Sequence, residues 1–328
     1  MIAIQTHDLT RYYGELCAVN HLDLTVEQGE LLAFLGPNGA GKTTTIRMLT
    51  GLIQPTEGSA VIDGYDVVRE PLAVKERVGV VPQRSNLYAE LSLRDNLIFC
   101  GKLYGLPRRQ RQERAEALLH EFDLAERADS PFAALSGGMK RRLTIAAALM
   151  HTPPILFLDE PTTGLDVRSA RNLRATIERL RGEGTTIFLT THLIHEAEQL
   201  ADRVAIIVRG ALAAVGTPAE LCANYQQEQA LLVRLSSLPE ELLGALDASE
   251  AILNVSRVGG VADTQLRLVV RSVDEALAEI QAFTRQNGSR IEEVQTARLS
   301  LEDAFVQITD LDSEIMQINN VAQGGRGQ

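Results

Sequence analysis

Leu31-Leu-Ala-Phe-Leu35, followed at once by Gly36-Pro-Asn-Gly-Ala-Gly-Lys-Thr43, decides the fold of this chain. The five apolar residues predict a buried strand, and Lys42–Leu49 predicts a helix. Between them the spacing is GxxxxGK[ST]. Gly36, Gly39 and Gly41 let the main chain curl so that its N–H groups point inward at an anion. The helix that follows aims its positive end at the same place. Lys42 can reach the outer phosphates of a nucleotide, and Thr43 can offer a hydroxyl to Mg²⁺. Pro37, Asn38, Ala40 and Thr44 complete the expected phosphate-binding set.

Further apolar runs at Val78–Val81, Ile155–Leu158, Thr186–Leu189 and Val204–Val208 have the length of buried strands. Helical patterns separate them at Gly138–Met150, Val167–Arg181 and Leu193–Leu200. Strands alternating with helices predict an α/β fold, with a mostly parallel sheet covered on both faces. One of these strands ends Ile155-Leu-Phe-Leu-Asp159-Glu160. Beside a phosphate loop, Asp159 fits a Mg²⁺ ligand, and Glu160 fits a carboxylate that orients and polarises an attacking water. Loop and acidic strand together give a P-loop NTPase.

The rhythm breaks between about Leu91 and Leu135, where a mostly helical insertion is expected. A boundary is expected near Gly216-Thr-Pro. Beyond it, strands at Ala230–Leu235, Ile252–Val258, Gln265–Val270 and Ile291–Thr296 alternate with helices at Pro239–Leu246 and Val273–Thr284. That βαββαβ order fits a small ferredoxin-like α+β domain. The polar, glycine-rich end, residues 311–328, is expected to be a flexible tail.

The 328 residues are 45% hydrophobic and carry a net charge of −11, which argues against nucleic acid as a partner. Basic runs do occur at Arg108–Arg111 and at Lys140–Arg142, the first of which reads as a solvated helix face. Cys17, Cys100 and Cys222 lie too far apart for a metal cluster and are expected as cytosolic thiols. No secretory signal is visible at the start, and no apolar run approaches the ~20 residues of a membrane span.

Leu135-Ser136-Gly137-Gly138-Met139-Lys140-Arg141 resembles the LSGGQ signature of the ABC ATPases, with Met139 where glutamine is usual. Gln83, in Val80-Val-Pro-Gln83, is similar to the Q-loop glutamine of that family. Gly164-Leu-Asp166 resembles its D-loop, and His192, in Thr190-Thr-His192, its switch histidine. Tyr13 matches the aromatic that stacks on adenine, with Tyr12 as a competitor for that place. The resemblance covers residues 1–215 with every motif in order, and implies a RecA-like core sheet with a helical subdomain at about 85–135.

It also implies roles. ATP and Mg²⁺ are the expected cofactors, with Thr43, Gln83 and Asp159 around the metal. Glu160, His192 and Gln83 are the expected catalytic group. Ser136, Gly137 and Gly138 are expected to close over the γ-phosphate held by a second ATPase subunit, in a homodimer. Asn86-Leu-Tyr-Ala-Glu-Leu91, Lys102-Leu-Tyr-Gly-Leu-Pro107 and Ser300-Leu-Glu-Asp-Ala-Phe305 resemble the drug-resistance branch of ABC exporters. They imply a separate integral-membrane permease, efflux of a drug, lipid or other hydrophobic compound, and a peripheral place on the cytoplasmic face. Residues 216–310 are then an accessory domain. The alternative is a non-transport ABC ATPase of translation or DNA repair. Against it stand a single set of motifs and no sustained heptads between Lys42 and Ser136.

Overall fold

The computed structural model describes residues 1–223, 229–247, 249, 251–258, 264–297 and 299–309. The expected tail at 311–328 lies outside them. The chain divides into two compact units, at Val215 and Gly216.

The first unit opens with β1 (Ile2–Tyr13), β2 (Leu16–Glu27), β3 (Leu31–Leu35), α1 (Lys42–Leu49), β4 (Glu57–Ile62), β5 (Tyr65–Asp66), α2 (Pro71–Arg77) and β6 (Val78–Val81). There follow α3 (Leu93–Leu103), α4 (Arg108–Glu121), two short 3₁₀ turns and α5 (Gly137–Ala148). It continues with β7 (Ile155–Asp159), α6 (Val167–Gly182), β8 (Thr186–Thr191), α7 (Ile194–Leu200), β9 (Arg203–Val208) and β10 (Ala211–Gly216).

Six strands form the central sheet in the order β10-β9-β3-β8-β7-β6, and the five from β9 to β6 run parallel. Each of β3, β7 and β8 is buried at every position. Strand period two then divides their side chains between two cores. Leu31, Leu156, Leu158, Ile187 and Leu189 face α3 to α6. Leu32, Phe34, Ile155, Phe157 and Phe188 face β1, β2, β4 and α1, with the Phe34, Phe188 and Phe157 rings in a row at 5.3 and 5.4 Å.

On that second side lies an antiparallel sheet, β2-β1-β4-β5, which the sequence pattern does not announce. The pairing of β1 shifts register after Thr6 and again after Leu9, and Asp8 sits at φ 47°. Such bulges break the apolar alternation by which a strand is read.

The helical insertion holds α3 and α4. Ser92 caps α3 by accepting from the Asp95 N–H. The buried Asn96 side chain accepts from Tyr88 N and donates to Tyr88 O and Ser92 O, which pins the entry loop to that helix.

The second unit contains α8 (Pro218–Ala223), β11 (Gln229–Leu235), α9 (Glu240–Asp247), β12 (Ile252–Arg257), β13 (Gln265–Val270), α10 (Val273–Gln286), β14 (Ile291–Ala297) and α11 (Leu301–Thr309). Its sheet runs β12-β13-β11-β14 with all three pairings antiparallel, the ferredoxin-like arrangement that βαββαβ requires. Leu231, Val233, Leu266 and Leu268 pack with Leu242, Ala276 and Ile280 of α9 and α10.

Candidate active site

The loop Gly36–Thr43 joins β3 to α1, and its glycines have local causes. Gly39 and Gly41 adopt φ of 83° and 107°. A Cβ on Gly36 would stand 2.3 Å from the Ile207 carbonyl, and one on Gly41 2.4 Å from that of Ala18. No side chain caps α1, so its first N–H groups stay available to an anion. Lys42 Nζ donates to Gly36 O at 2.8 Å and Pro37 O at 3.0 Å, and lies 3.2 Å from Glu160 Oε1. Burial pushes its pKa down, against the opposing pull of Glu160 and Asp159.

The acids come from the end of β7. Asp159 accepts from Thr43 Oγ1 at 3.0 Å and from Thr190 Oγ1 at 2.6 Å. Glu160 sits at φ 45°, with its N–H donated to Thr190 O. Glu160 Oε2 accepts from Gln83 Nε2 at 3.1 Å and Thr163 Oγ1 at 3.3 Å. His192 Nδ1 is 3.2 Å from the same oxygen, off the angle of a well-formed hydrogen bond. Burial opposes the charge on Glu160, yet the His192 ring and the Lys42 ammonium together hold its carboxyl at about 2. At neutral pH it is therefore a carboxylate, able to accept a hydrogen bond from water but not to serve as an acid.

A cavity of about 370 Å³ runs over this cluster and is lined by Tyr13, Leu16, Ala18, Asn38, Gly39, Gly41, Lys42, Thr43, Thr44, Gln83 and Glu160. Tyr13 is 43% exposed, with the Arg11 guanidinium 4.9 Å from its ring centroid. Tyr12 does not line the cavity, and its phenol pKa is raised first by a hydrogen bond with Cys17. Ala40 is buried under the loop, and Pro37 serves through its carbonyl.

Ser136, Gly137 and Gly138 do not join the group. Ser136 caps α5 by accepting from Met139 N, and both Ser136 and Gly137 are exposed. Met139 packs against the core beneath. Gly138 has an internal reason to lack a side chain: its Cβ would stand 2.5 Å from Ser169 Oγ and 2.9 Å from Ser169 Cβ. At Gly137 the nearest atom would be 3.8 Å away.

Three residues support the site in roles that the motifs do not give. Thr190 and Thr163 hold the two carboxylates. Arg141, on α5, is buried and bonded to main-chain carbonyls around them. Helical spacing was the available signal for Arg141, which shares the buried stripe of Thr144, Ile145 and Ala148.

The profile of the ABC transporter family matches residues 19–163. Over 96% of this chain and 98% of the relative, the sequence is 38% identical to the daunorubicin resistance ATP-binding protein DrrA3 of Streptomyces coeruleorubidus. The chain belongs to the ABC transporter family. As an ABC ATP-binding subunit it binds and hydrolyses ATP. ABC ATPase subunits dimerise and work with membrane permease partners. The linearmycin resistance ATP-binding protein LnrL of Bacillus subtilis is 33% identical over 93% of this ABC chain and 98% of that relative. The dimeric ATP-binding cassette MJ0796, solved in a post-hydrolysis state bound to ADP and Pi, matches with a TM-score of 0.60 and 26% identity, over 65% of this chain and 98% of that one. Among the described residues no helix is long and apolar enough to cross a membrane.

Proposed function

We propose that this chain drives efflux of a drug, lipid or other hydrophobic compound by hydrolysing ATP between two copies of itself, peripherally bound to a separate integral-membrane permease on the cytoplasmic face. The observation that carries this is the convergence of Lys42, Thr43, Gln83, Asp159, Glu160 and His192 on one cluster, while Ser136 and Gly137 stay exposed and outside it. That division suits a site completed by the signature of a second chain. The names of the relatives, which speak of daunorubicin and linearmycin resistance, support export of a hydrophobic compound.

Within the site, Tyr13 offers a ring face to adenine, backed by Arg11. The loop amides and Lys42 hold the phosphates. A hydroxyl and a carboxylate, Thr43 and Asp159, converge with hard oxygen donors that would suit Mg²⁺. When bound, that ion neutralises charge on the transferred phosphoryl group. Glu160 accepts a hydrogen bond from the attacking water, steadied by Gln83 and His192. The second unit, residues 216–310, is an accessory domain without a role in catalysis.

The permease is expected to dock on the segment Arg84–Tyr104, which adjoins Gln83 and exposes Arg84, Tyr88, Leu103 and Tyr104. Arg94 is a poor probe of that surface, since it is committed to Glu116 and Asp129 inside the insertion. The test is purification of the tagged chain from membranes in mild detergent. An integral-membrane subunit should co-purify, and Arg84→Glu with Tyr88→Ala should reduce its yield without changing ATP affinity. No co-purifying membrane subunit, or an unchanged yield in the double variant, counts against the reading.

A further inference from the structure

Arg141 is the fifth residue of α5, the helix whose N-terminus carries Ser136, Gly137 and Gly138. Its side chain is only 7% exposed. A guanidinium so far from water normally answers a carboxylate side chain, but this one donates to four main-chain carbonyls. Nε donates to Pro161 O at 2.8 Å and Nη2 to Asp159 O at 2.9 Å. Nη1 donates to Pro82 O at 2.5 Å, with Gln83 O at 3.4 Å. Pro82 and Gln83 begin the segment that leaves β6, and Asp159 and Pro161 stand on either side of Glu160. Thr144, one turn further along α5, adds a contact to that same β6 segment through Ser85 Oγ at 2.9 Å.

The fork of a guanidinium is planar and its donors keep fixed angles to one another. Carbonyls gripped by one fork cannot shift independently without breaking a charged hydrogen bond in a dry place. Burial lowers the Arg141 pKa to about 10, so the side chain stays charged throughout the working range.

Resting on the roles proposed above for Gln83 and Glu160, we propose that Arg141 is a positioning residue which fixes the main chain of Gln83 and Glu160 to the signature helix, so that a displacement of α5 reaches both at once. Arg141 does not line the cavity over the cluster. Its effect falls on turnover and on the Mg²⁺ requirement, since Asp159 shares the clamp, and not on the capture of ATP by Tyr13 and the phosphate loop.

The test uses the full chain with Arg141→Met, Arg141→Lys, Gln83→Ala and the Arg141→Met/Gln83→Ala double variant. Turnover is followed across a Mg²⁺ titration, beside binding of a fluorescent ATP analogue and thermal unfolding. Arg141→Met should lower kcat about tenfold or more and raise the Mg²⁺ midpoint at least about threefold, with analogue affinity held within about threefold. Arg141→Lys keeps the charge without the fork and should fall between. Because both side chains act through one unit, the double variant should be no more than about threefold slower than the slower single one. If both Arg141 variants keep parental kcat and Mg²⁺ midpoint, or if the two losses multiply, the proposal is overturned. Where Arg141→Met does not fold, Arg141→Lys decides: a folded lysine variant with parental turnover and Mg²⁺ midpoint overturns it equally. Parental turnover in Gln83→Ala overturns the reading of the site itself, and the proposal with it.

Discussion

Glu160 holds a left-handed backbone that costs a side-chain-bearing residue roughly 1–2 kcal/mol. The carbonyl of Thr190 accepts its N–H and keeps it there. Strain of this kind persists where the surroundings over-determine it, and here it stands at the end of β7 among Lys42, Gln83 and His192. The two signature glycines differ in the same local terms. Gly138→Ala pushes a methyl into Ser169, an overpacking worth about 1–3 kcal/mol, whereas Gly137→Ala meets only ordinary contact. The expected result is a thermal midpoint lowered by about 2–4 °C per kcal/mol in Gly138→Ala and unchanged in Gly137→Ala. Equal midpoints would show that Ser169 yields freely. The sequence alone reads both glycines as room for an anion, because Ser169 is brought to Gly138 only by packing of α5 against α6. Lys42 and Thr43 were legible because their chemistry lies within one local spacing. Thr190 and Arg141 were not, because each acts on a partner distant in the chain.

At the scale of elements, buried strands between helices were readable from composition and length, and β3, β6, β7, β8 and β9 stand where the apolar runs fall. The β2-β1-β4-β5 sheet was hidden by its bulges. The division of the central strands between two cores was hidden for another reason: strands buried on both faces show no alternation. In the second unit, the stretch Ser300-Leu-Glu-Asp-Ala-Phe305 has a plain structural purpose. Asp303 accepts from Ser300 N at the start of α11 and pairs with Arg267 of β13 at 2.6 Å. Both side chains are largely removed from water. Asp303→Ala leaves Arg267 without that carboxylate, and should destabilise the second unit by about 1–3 kcal/mol. Differential scanning calorimetry should show the loss in one transition, while ATP affinity stays parental. A parallel fall in ATP affinity would contradict an accessory role for residues 216–310.

At the scale of the molecule, one chain carries a phosphate loop, two acids and a switch histidine in one cluster, and a signature that lies outside it. On the function proposed above, a complete site needs two copies, with ATP between them until it is cleaved. The most direct measurement is size-exclusion chromatography of Glu160→Gln with ATP and Mg²⁺, beside phosphate release. Glutamine keeps the shape but loses the charge that steers a proton, and a positioned base is worth ~10²–10⁴ in rate, or about 3–5 kcal/mol in barrier. The variant should bind ATP nearly normally, release phosphate slower by about that factor, and elute as an ATP-dependent dimer. Turnover within about threefold of the parent, or a monomer at saturating ATP, would contradict the assignment of Glu160 and the two-chain site.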